Sequence, residues 1–220
     1  MMGQLATDIV EFKQADSEYP SLLKTHLANH APKIIAALGN PTILQSKILA
    51  LFCSVRCPGH LILKAHDLAQ KLKQADMTVI GGFHSPVERE CLRILLRGLK
   101  PVILCPARSL SGMRMRTEYK KPIEEGRLLL LSPFKEKQRR NTAETAMERN
   151  RFAGALADIV FVAHASPNSK MEKFCREVLT WGGRLYTFES ESNSNLIQFG
   201  AKPVNINKNL DEWKSFVAKK

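Results

Sequence analysis

The sequence predicts an α/β fold built on a doubly wound, mostly parallel sheet. Short apolar runs typical of strands alternate along the chain with amphipathic segments typical of helices. Such alternation produces βαβ units whose helices cover both faces of a parallel sheet. Right-handed crossovers between the strands then give a Rossmann-like arrangement. The composition, with 44% hydrophobic and 25% charged residues, is that of an ordinary globular protein.

The predicted elements follow one another in a regular order. A short N-terminal helical segment over 17–46 comes first, and Asn40-Pro41 marks a turn before the first strand. The strands are expected at 48–53, 77–80, 101–105, 127–131, 159–163 and 184–188, and the helices at 60–74, 87–97, 142–157 and 170–181. Segment 106–126 is expected to be irregular. We therefore divide the chain into an N-terminal helical extension (1–46), a Rossmann-like domain (47–207) and a C-terminal helix (208–220).

The charge balance indicates an anionic partner. The net charge is +12 and the pI is near 9.7, which favours nucleic acid, nucleotides or an anionic membrane surface. No apolar run reaches the roughly 20 residues needed to span a bilayer. The N-terminus also lacks the pattern of a secretory signal. Five widely spaced cysteines suit reduced thiols, so we expect a cytoplasmic protein without a bound metal or other cofactor.

Several common catalytic motifs are absent from the sequence. There is no GxxxxGK[ST], GxSxG or HExxH, and no GxGxxG follows the first predicted strand. His84 and Glu88 lie close in sequence and could form an acid–base pair, but structural hydrogen bonds are the commoner role for such residues. A lowered pKa at Cys53 or Cys57 is also conceivable at a helix start. Neither feature requires catalysis, so we expect a binding protein without catalytic residues.

The loops that follow the predicted strands are rich in small polar residues. In an open parallel sheet, ligands bind outside the carboxyl ends of the strands. Small residues there let backbone N–H groups approach a phosphate at a helix start. Turns are rich in such residues in any protein, yet their number at this edge favours anion binding. The candidates include Ser54, Gly81, Gly82, His84, Ser85 and Ser169, together with the basic loop 135–140.

The triplet Arg149-Asn150-Arg151 lies on a helix that we expect to begin at Asn141, with a capping box formed by Asn141 and Glu144. Each residue of a helix turns about 100°. Asn150 therefore interrupts the apolar stripe, and the two arginines flank it on opposite sides. A buried Asn needs hydrogen bonds, so we predict that Asn150 ties the helix to a neighbouring loop. Each arginine could contact an anion or extend into solvent.

Five motifs then occur in a recognisable order. They are YPSLL with APKIIAALGNPTIL, LFCSVR, VIGGFHSPVERECL, ERNRFAGALADIVFVAHA, and GGRLYTF followed by NLIQFGA. In this order the chain resembles the DNA-processing protein A (DprA/Smf) family of bacterial Rossmann-fold proteins. The resemblance runs from Tyr19 to about Ala201. LFCSVR stands where the family has a Gly-Ser-Arg turn, and the Arg-Asn-Arg helix is the most specific match.

The resemblance implies a homodimer that binds single-stranded DNA and contacts a recombinase. It places Ser54, Arg56, Gly81, Gly82, Arg149, Asn150 and Arg151 at binding positions. The chain departs from the family pattern at Cys53, Ser85-Pro86, Glu88, His164 and Glu189-Ser190. The stretch after residue 207 is also too short for the family's winged-helix tail. Two alternatives remain open: a sensor of a small nucleotide in the same crevice, and a small hydrolase or transferase using His84 and Glu88.

Overall fold

A computed structural model of the chain describes residues 8–205. The strands are β1 (Val10–Lys13), β2 (Ile34–Leu38), β3 (Ile48–Phe52), β4 (Thr78–Gly81), β5 (Val102–Leu104), β6 (Leu128–Ser132), β7 (Ile159–Val162), β8 (Leu185–Phe188) and β9 (Lys202–Val204). The helices are α1 (Ser21–Leu27), α2 (Gly59–Leu72), α3 (Pro86–Leu96), α4 (Thr117–Glu124), α5 (Ala143–Ala155), α6 (Lys170–Thr180) and α7 (Ser194–Gln198). Short 3-10 turns occupy Ala28–His30, Pro41–Gln45 and Glu191–Asn193.

The nine strands found between residues 8 and 205 form one sheet in the order β1-β2-β6-β5-β4-β3-β7-β8-β9. The β1–β2 and β2–β6 pairs are antiparallel, and every other pair is parallel. From β3 the chain proceeds outward through β4, β5 and β6, then crosses back to β7 and proceeds outward on the other side. The doubly wound, mostly parallel fold is thereby confirmed. The six predicted strands and four predicted helices are present, with ends that differ by two residues or fewer.

The core has two layers because the central strands are buried on both faces. Every residue of β3 is buried, and alternate side chains enter opposite layers. Ala50 and Phe52 pack in the layer that holds α1, α5 and α6. Leu49 and Leu51 pack in the layer that holds α2, α3 and α4. A continuous apolar run therefore marks a central strand here rather than a helix.

The N-terminal region contains the expected short helix, α1, but also two strands that we did not predict. Ile34 and Ile35, expected in the helical segment, begin β2, which pairs with β6 through Ala36 and Ser132. The strand β1 then pairs with β2 at the edge of the sheet. The helical prediction for 34–35 is wrong because an apolar pair has no clear period, and the distant strand β6 supplies its hydrogen-bonding partner. The domain boundary at residue 47 stays a prediction.

Segment 106–126 is not irregular throughout, since α4 occupies its second half. Tyr119 and Ile123, four residues apart, both bury their side chains from this helix. Pro122 inside α4 obscured the pattern in the sequence. The predicted helix at 208–220 lies outside the described residues. Between residues 8 and 205, no helix is long and apolar enough to cross a membrane.

Candidate nucleic-acid interface

A crevice of about 520 Å³ opens at the carboxyl ends of the central strands. Its walls come from the turns after β3, β4 and β5 and from the first turns of α3, α5 and α6. The strand order reverses between β3 and β7, so the crevice lies at the topological switch point of the sheet. This is the ligand edge that the sequence predicted.

Three helix N-termini line the crevice. Ser85 caps α3, because its hydroxyl oxygen accepts a 3.2 Å hydrogen bond from the backbone N–H of Glu88. Ser169 caps α6 in the same way, and its hydroxyl oxygen accepts from the backbone N–H of Glu172 at 3.1 Å. Thr142 caps α5 in the same way, and with Thr145 it forms a capping box. The predicted capping box of Asn141 and Glu144 is therefore wrong by one residue. The positive ends of three helix dipoles favour an anion in this space.

Arg149 projects from α5 into the crevice wall and is only 4% exposed. Its Nε donates to Asn150 Oδ1 at 2.8 Å, and its Nη1 donates to the carbonyl of Cys105 at 3.0 Å. Its Nη2 makes no hydrogen bond within 8–205, and no carboxylate there forms an ion pair with it. Burial lowers the pKa of Arg149, while the charge of Glu88 raises it.

Gly82 makes the space that Arg149 occupies. A Cβ atom at this glycine would lie 1.4 Å from Nη1 of Arg149 and 1.7 Å from its Cζ. The guanidinium therefore lies directly against the backbone after β4. The sequence placed Gly82 at a close approach to a ligand, but the group that approaches it in the structure is Arg149.

The side chains of Asn150 and Arg151 make contacts that the sequence analysis did not predict. Asn150 holds its neighbour Arg149, and it is Arg149 that ties α5 to a neighbouring loop, so the predicted role of Asn150 is wrong. Arg151 lies on the other side of α5, in a separate groove of about 1030 Å³. There its Nε and Nη2 donate to the two carboxylate oxygens of Glu177 at 2.6 and 2.7 Å. The hydrogen bond from Arg151 to Glu177 raises the pKa of Arg151.

Glu88 organises the backbone around the crevice. Its Oε1 accepts from the N–H of Cys53 at 2.8 Å, and its Oε2 accepts from the N–H groups of His84 at 2.8 Å and Ser85 at 3.4 Å. Both oxygens are thus occupied by backbone donors, and His84 meets Glu88 through its backbone only. These hydrogen bonds favour the structural role over the acid–base pair.

Glu172 has the corresponding structural role at the start of α6. It accepts from the backbone N–H of Asn168 and from the side-chain amide of Asn195, both at 2.8 Å. The hydrogen bond from Asn195 and, to a smaller extent, that from Asn168 lower the pKa of Glu172. Two helix starts of the crevice are therefore held by buried carboxylates.

The ten predicted binding residues fall into two groups. Six of them line the crevice: Ser54, His84, Ser85, Arg149, Asn150 and Ser169. The other four do not: Gly81 ends β4, Gly82 lies under Arg149, Arg56 is exposed beside the crevice, and Arg151 lies in the other groove. The binding role of all ten stays a prediction. We did not anticipate Thr142 and Lys170, which line the crevice beside the helix starts. Thr142 is the N-cap of α5, so a capping pattern placed one residue later would have identified it.

The basic loop 135–140 is attached to the crevice wall. Ser109 donates its backbone N–H to the carbonyl of Gln138 at 2.7 Å, and the Ser132 hydroxyl donates to the carbonyl of Arg108 at 2.8 Å. The loop therefore lies beside the turn after β5, and its four basic side chains are exposed: Lys135, Lys137, Arg139 and Arg140. Among residues 8–205, no group of three or more His, Cys, Asp or Glu side chains could hold a metal ion.

Known proteins support the architecture. A family model described as DNA recombination-mediator protein A matches residues 12–214. DNA processing protein A from Streptococcus pneumoniae superposes with a TM-score of 0.77 at 19% identity, covering 94% of this chain and 75% of that one. The Helicobacter pylori protein of that name, described for its single-stranded DNA binding mode, gives 0.75 at 18%, covering 94% and 96%.

A more distant structure shares the general architecture. The molybdenum cofactor carrier protein of Chlamydomonas reinhardtii gives a TM-score of 0.53 at 9% identity, covering 79% of this chain and 99% of that one. No curated protein sequence matches the chain. Because all three structures are under 25% identical to it, these likenesses establish the fold, and the match to the family model establishes descent.

Proposed function

The chain belongs to the DNA recombination-mediator protein A family, and from this premise we propose that it binds single-stranded DNA in the crevice as part of DNA processing or recombination. The DNA processing protein A of Helicobacter pylori is described as binding single-stranded DNA. The proposal transfers that ligand to this chain and assigns no reaction to it. Phosphate groups of the strand would occupy the space in front of the three helix N-termini.

The observation that carries the proposal is the buried guanidinium of Arg149. A cation removed from water is costly unless a negative group lies nearby. Arg149 is 4% exposed and forms no ion pair within the described part of the chain, and its Nη2 is unbonded there. The charge of Glu88 acts on Arg149 without an ion-pair contact, and a phosphate oxygen in the crevice would supply both that contact and an acceptor for Nη2.

The basic loop 135–140 favours a strand over a single nucleotide. It extends the positive surface beyond the crevice, where the next phosphates of a strand would lie. Binding through phosphates depends strongly on salt and weakly on base sequence. Only 7% of the residues are aromatic, so we expect base stacking to contribute little.

Fluorescence anisotropy of a labelled oligo-dT strand tests the proposal, with Arg149→Ala as the variant and Arg151→Ala as its matched control. Loss of one charged hydrogen-bonding partner is worth about 1.5–3 kcal/mol, or about a 10- to 150-fold drop in affinity. We expect this loss for Arg149→Ala and wild-type affinity for Arg151→Ala, whose guanidinium is already paired with Glu177. Melting curves identify variants that are unfolded, and Arg149→Lys provides a second, charge-conserving substitution. Absence of binding at low salt would refute the proposal.

A sensor of a small nucleotide in the same crevice is the alternative. The limited volume of the crevice, about 520 Å³, favours it. A nucleotide that binds only the folded chain raises the melting temperature as its concentration rises. Saturable stabilisation by a mononucleotide, without tighter binding of oligonucleotides, would support the sensor.

The proposal includes a cytoplasmic homodimer that contacts a recombinase. The family description as a recombination mediator supports the recombinase contact, and five cysteines without a disulfide support the location. Light scattering coupled to gel filtration would measure the mass in solution. A monomer at micromolar concentration, with and without DNA, would contradict the dimer.

A further inference from the structure

More than half of the net positive charge of the chain lies in two short segments, 106–121 and 135–140. Together they contain nine Lys or Arg residues and two Glu residues, a net charge of +7 out of +12. They follow β5 and β6, which are parallel neighbours in the sheet, so both begin at the edge that holds the crevice. Charge concentrated in this way is typical of a surface that binds a polyanion. The basic loop 135–140 accounts for only part of it.

The segment after β5 has a fixed place beside the crevice. The backbone N–H of Ser111 donates to Oγ of Ser109 at 3.0 Å, and the N–H of Met113 donates to the carbonyl of Leu110 at 3.0 Å. The side chain of Leu110 is buried in the core layer that holds α2, α3 and α4. Ala107, near the start of the segment, lines the crevice itself. The segment therefore continues the crevice wall as an ordered turn.

Methionine and arginine alternate over residues 113–116. Met113 and Met115 are half-buried and pack against the same core layer. Arg114 and Arg116 are exposed. Side chains that alternate between the core and the solvent place every second residue on the same side of the chain. The methionines thus anchor the segment, and both arginines project from its solvent side.

These arginines and a lysine of α4 surround an open depression of about 670 Å³. Arg114, Arg116 and Lys120 together form what we term the outer basic surface. Glu118 also lines the depression and pairs with Arg116 at 3.4 Å, and the Arg116 guanidinium lies 5.8 Å from the centre of the Tyr119 ring. Arg114 and Lys120 form no ion pair with any residue between 8 and 205. Two cations without an acidic partner therefore border one depression.

We propose that the outer basic surface binds phosphates of a single nucleic-acid strand after the strand leaves the crevice. The inference rests on the proposed function, because the crevice makes the first contacts. A strand carries a charge at every nucleotide, so it can occupy the crevice and the outer basic surface at once. The charged and exposed side chains suit phosphates, whereas a protein partner would need apolar or aromatic side chains at the centre of the contact. The bound strand is therefore longer than the crevice alone can hold.

The contribution of this surface depends on the length of the strand. Each phosphate that a single strand neutralises contributes about 0.7 to the slope of log affinity against log salt. Loss of Arg114 and Lys120 should therefore lower the slope by about 1.4, which corresponds to up to about 25-fold in affinity at about 0.1 M salt. A strand that fills only the crevice should show neither change.

Fluorescence anisotropy with labelled oligo-dT strands of about 4 to 20 nucleotides tests this dependence. The double variant Arg114→Ala/Lys120→Ala should bind the shortest strand like the wild type and should lose affinity for the longest. Arg93→Ala/Arg97→Ala is the matched control, because it removes two exposed positive charges near the end of α3, at the opposite edge of the sheet. The control should keep wild-type affinity for every length. Melting curves establish that both double variants are folded.

Protection of lysines from acetylation locates the strand on the unaltered protein. Mass spectrometry should show Lys120 protected by the longest strand and reactive with the shortest one bound. Lys100, which precedes β5 at the opposite edge of the sheet, should stay reactive with both. This measurement needs no substitution, so it does not depend on the folding of a variant.

The outcomes separate this inference from the proposed function. Equal effects of Arg114→Ala/Lys120→Ala on short and long strands, no effect on either, or an unprotected Lys120 would overturn the outer basic surface while the crevice still bound DNA. Length-dependent binding that needs Arg114 and Lys120 but not Arg149 would count against the proposed function alone. Absence of binding by every strand at low salt would refute both.

Discussion

Gly82→Ala should displace Arg149 from its buried position. A methyl group at residue 82 would lie 1.4 Å from Nη1 and 2.5 Å from Nε, far inside van der Waals distance. The guanidinium must then move away from the backbone after β4, into the crevice that it lines. It then loses its hydrogen bonds to the carbonyl of Cys105 and to Asn150.

The expected cost follows from those two bonds. Each hydrogen bond from a charged donor contributes about 1.5–3 kcal/mol, so their loss would cost about 3 kcal/mol or more. Hydration of the displaced guanidinium in the open crevice offsets part of that loss. We therefore expect the free energy of unfolding to fall by about 2–3 kcal/mol. The affinity for single-stranded DNA should also fall, since Arg149 no longer holds a fixed position in the crevice wall.

Urea unfolding of a double-mutant cycle isolates the interaction. If the cost of Gly82→Ala comes from the clash with Arg149, it should largely disappear when Arg149→Ala is already present. Gly59→Ala is the control, because a Cβ there meets nothing within 4 Å. Additive costs of the two substitutions, or a Gly82→Ala variant within about 0.5 kcal/mol of the wild type, would refute this reasoning.

Three further predictions concern the surroundings of the crevice. Glu88→Gln should lower the free energy of unfolding by about 1–3 kcal/mol, because an amide cannot accept all the backbone hydrogen bonds of the carboxylate. Glu90→Gln, at a half-buried position whose carboxylate pairs only with Arg93 among residues 8–205, should change the free energy of unfolding by under about 1 kcal/mol, and equal effects would contradict the role of Glu88. The folded-state pKa of Glu172 is lowered, so its stabilisation is present above the unfolded pKa of about 4.3 and is lost as pH falls through the folded pKa. Urea unfolding between about pH 6 and 3 should therefore show a shallower loss for Glu172→Gln than for the wild type, and parallel curves would count against it. Replacing Lys137 and Arg139 with Ala should weaken the binding of all single strands alike and reduce the salt slope by about 0.7 for each phosphate that is no longer neutralised, whereas an unchanged slope would remove the basic loop from the interface.

Much of the fold was predictable because its signals are local. The central strands are continuous apolar runs between turn residues, and the helices repeat their apolar positions with a helical period. The ligand edge follows from the same alternation, since parallel strands end together. The three strands β1, β2 and β9 were missed because their identity depends on pairing with distant segments: Ala36 of β2 pairs with Ser132, and Lys202 of β9 pairs with Tyr186.

The same distinction between local signals and long-range contacts applies to the candidate site. The sequence by itself determined that the crevice lies at the carboxyl ends of the strands, that small polar residues such as Ser85 and Ser169 follow those strands, and that Arg149 and Arg151 lie on opposite sides of α5. Only the tertiary structure decided how deep each arginine lies and what it touches. Gly82, on a different element, leaves the space that buries Arg149, and Glu177 on α6 holds Arg151. A helical period defines direction within one element, whereas burial and partners depend on atoms that other segments bring to the same place.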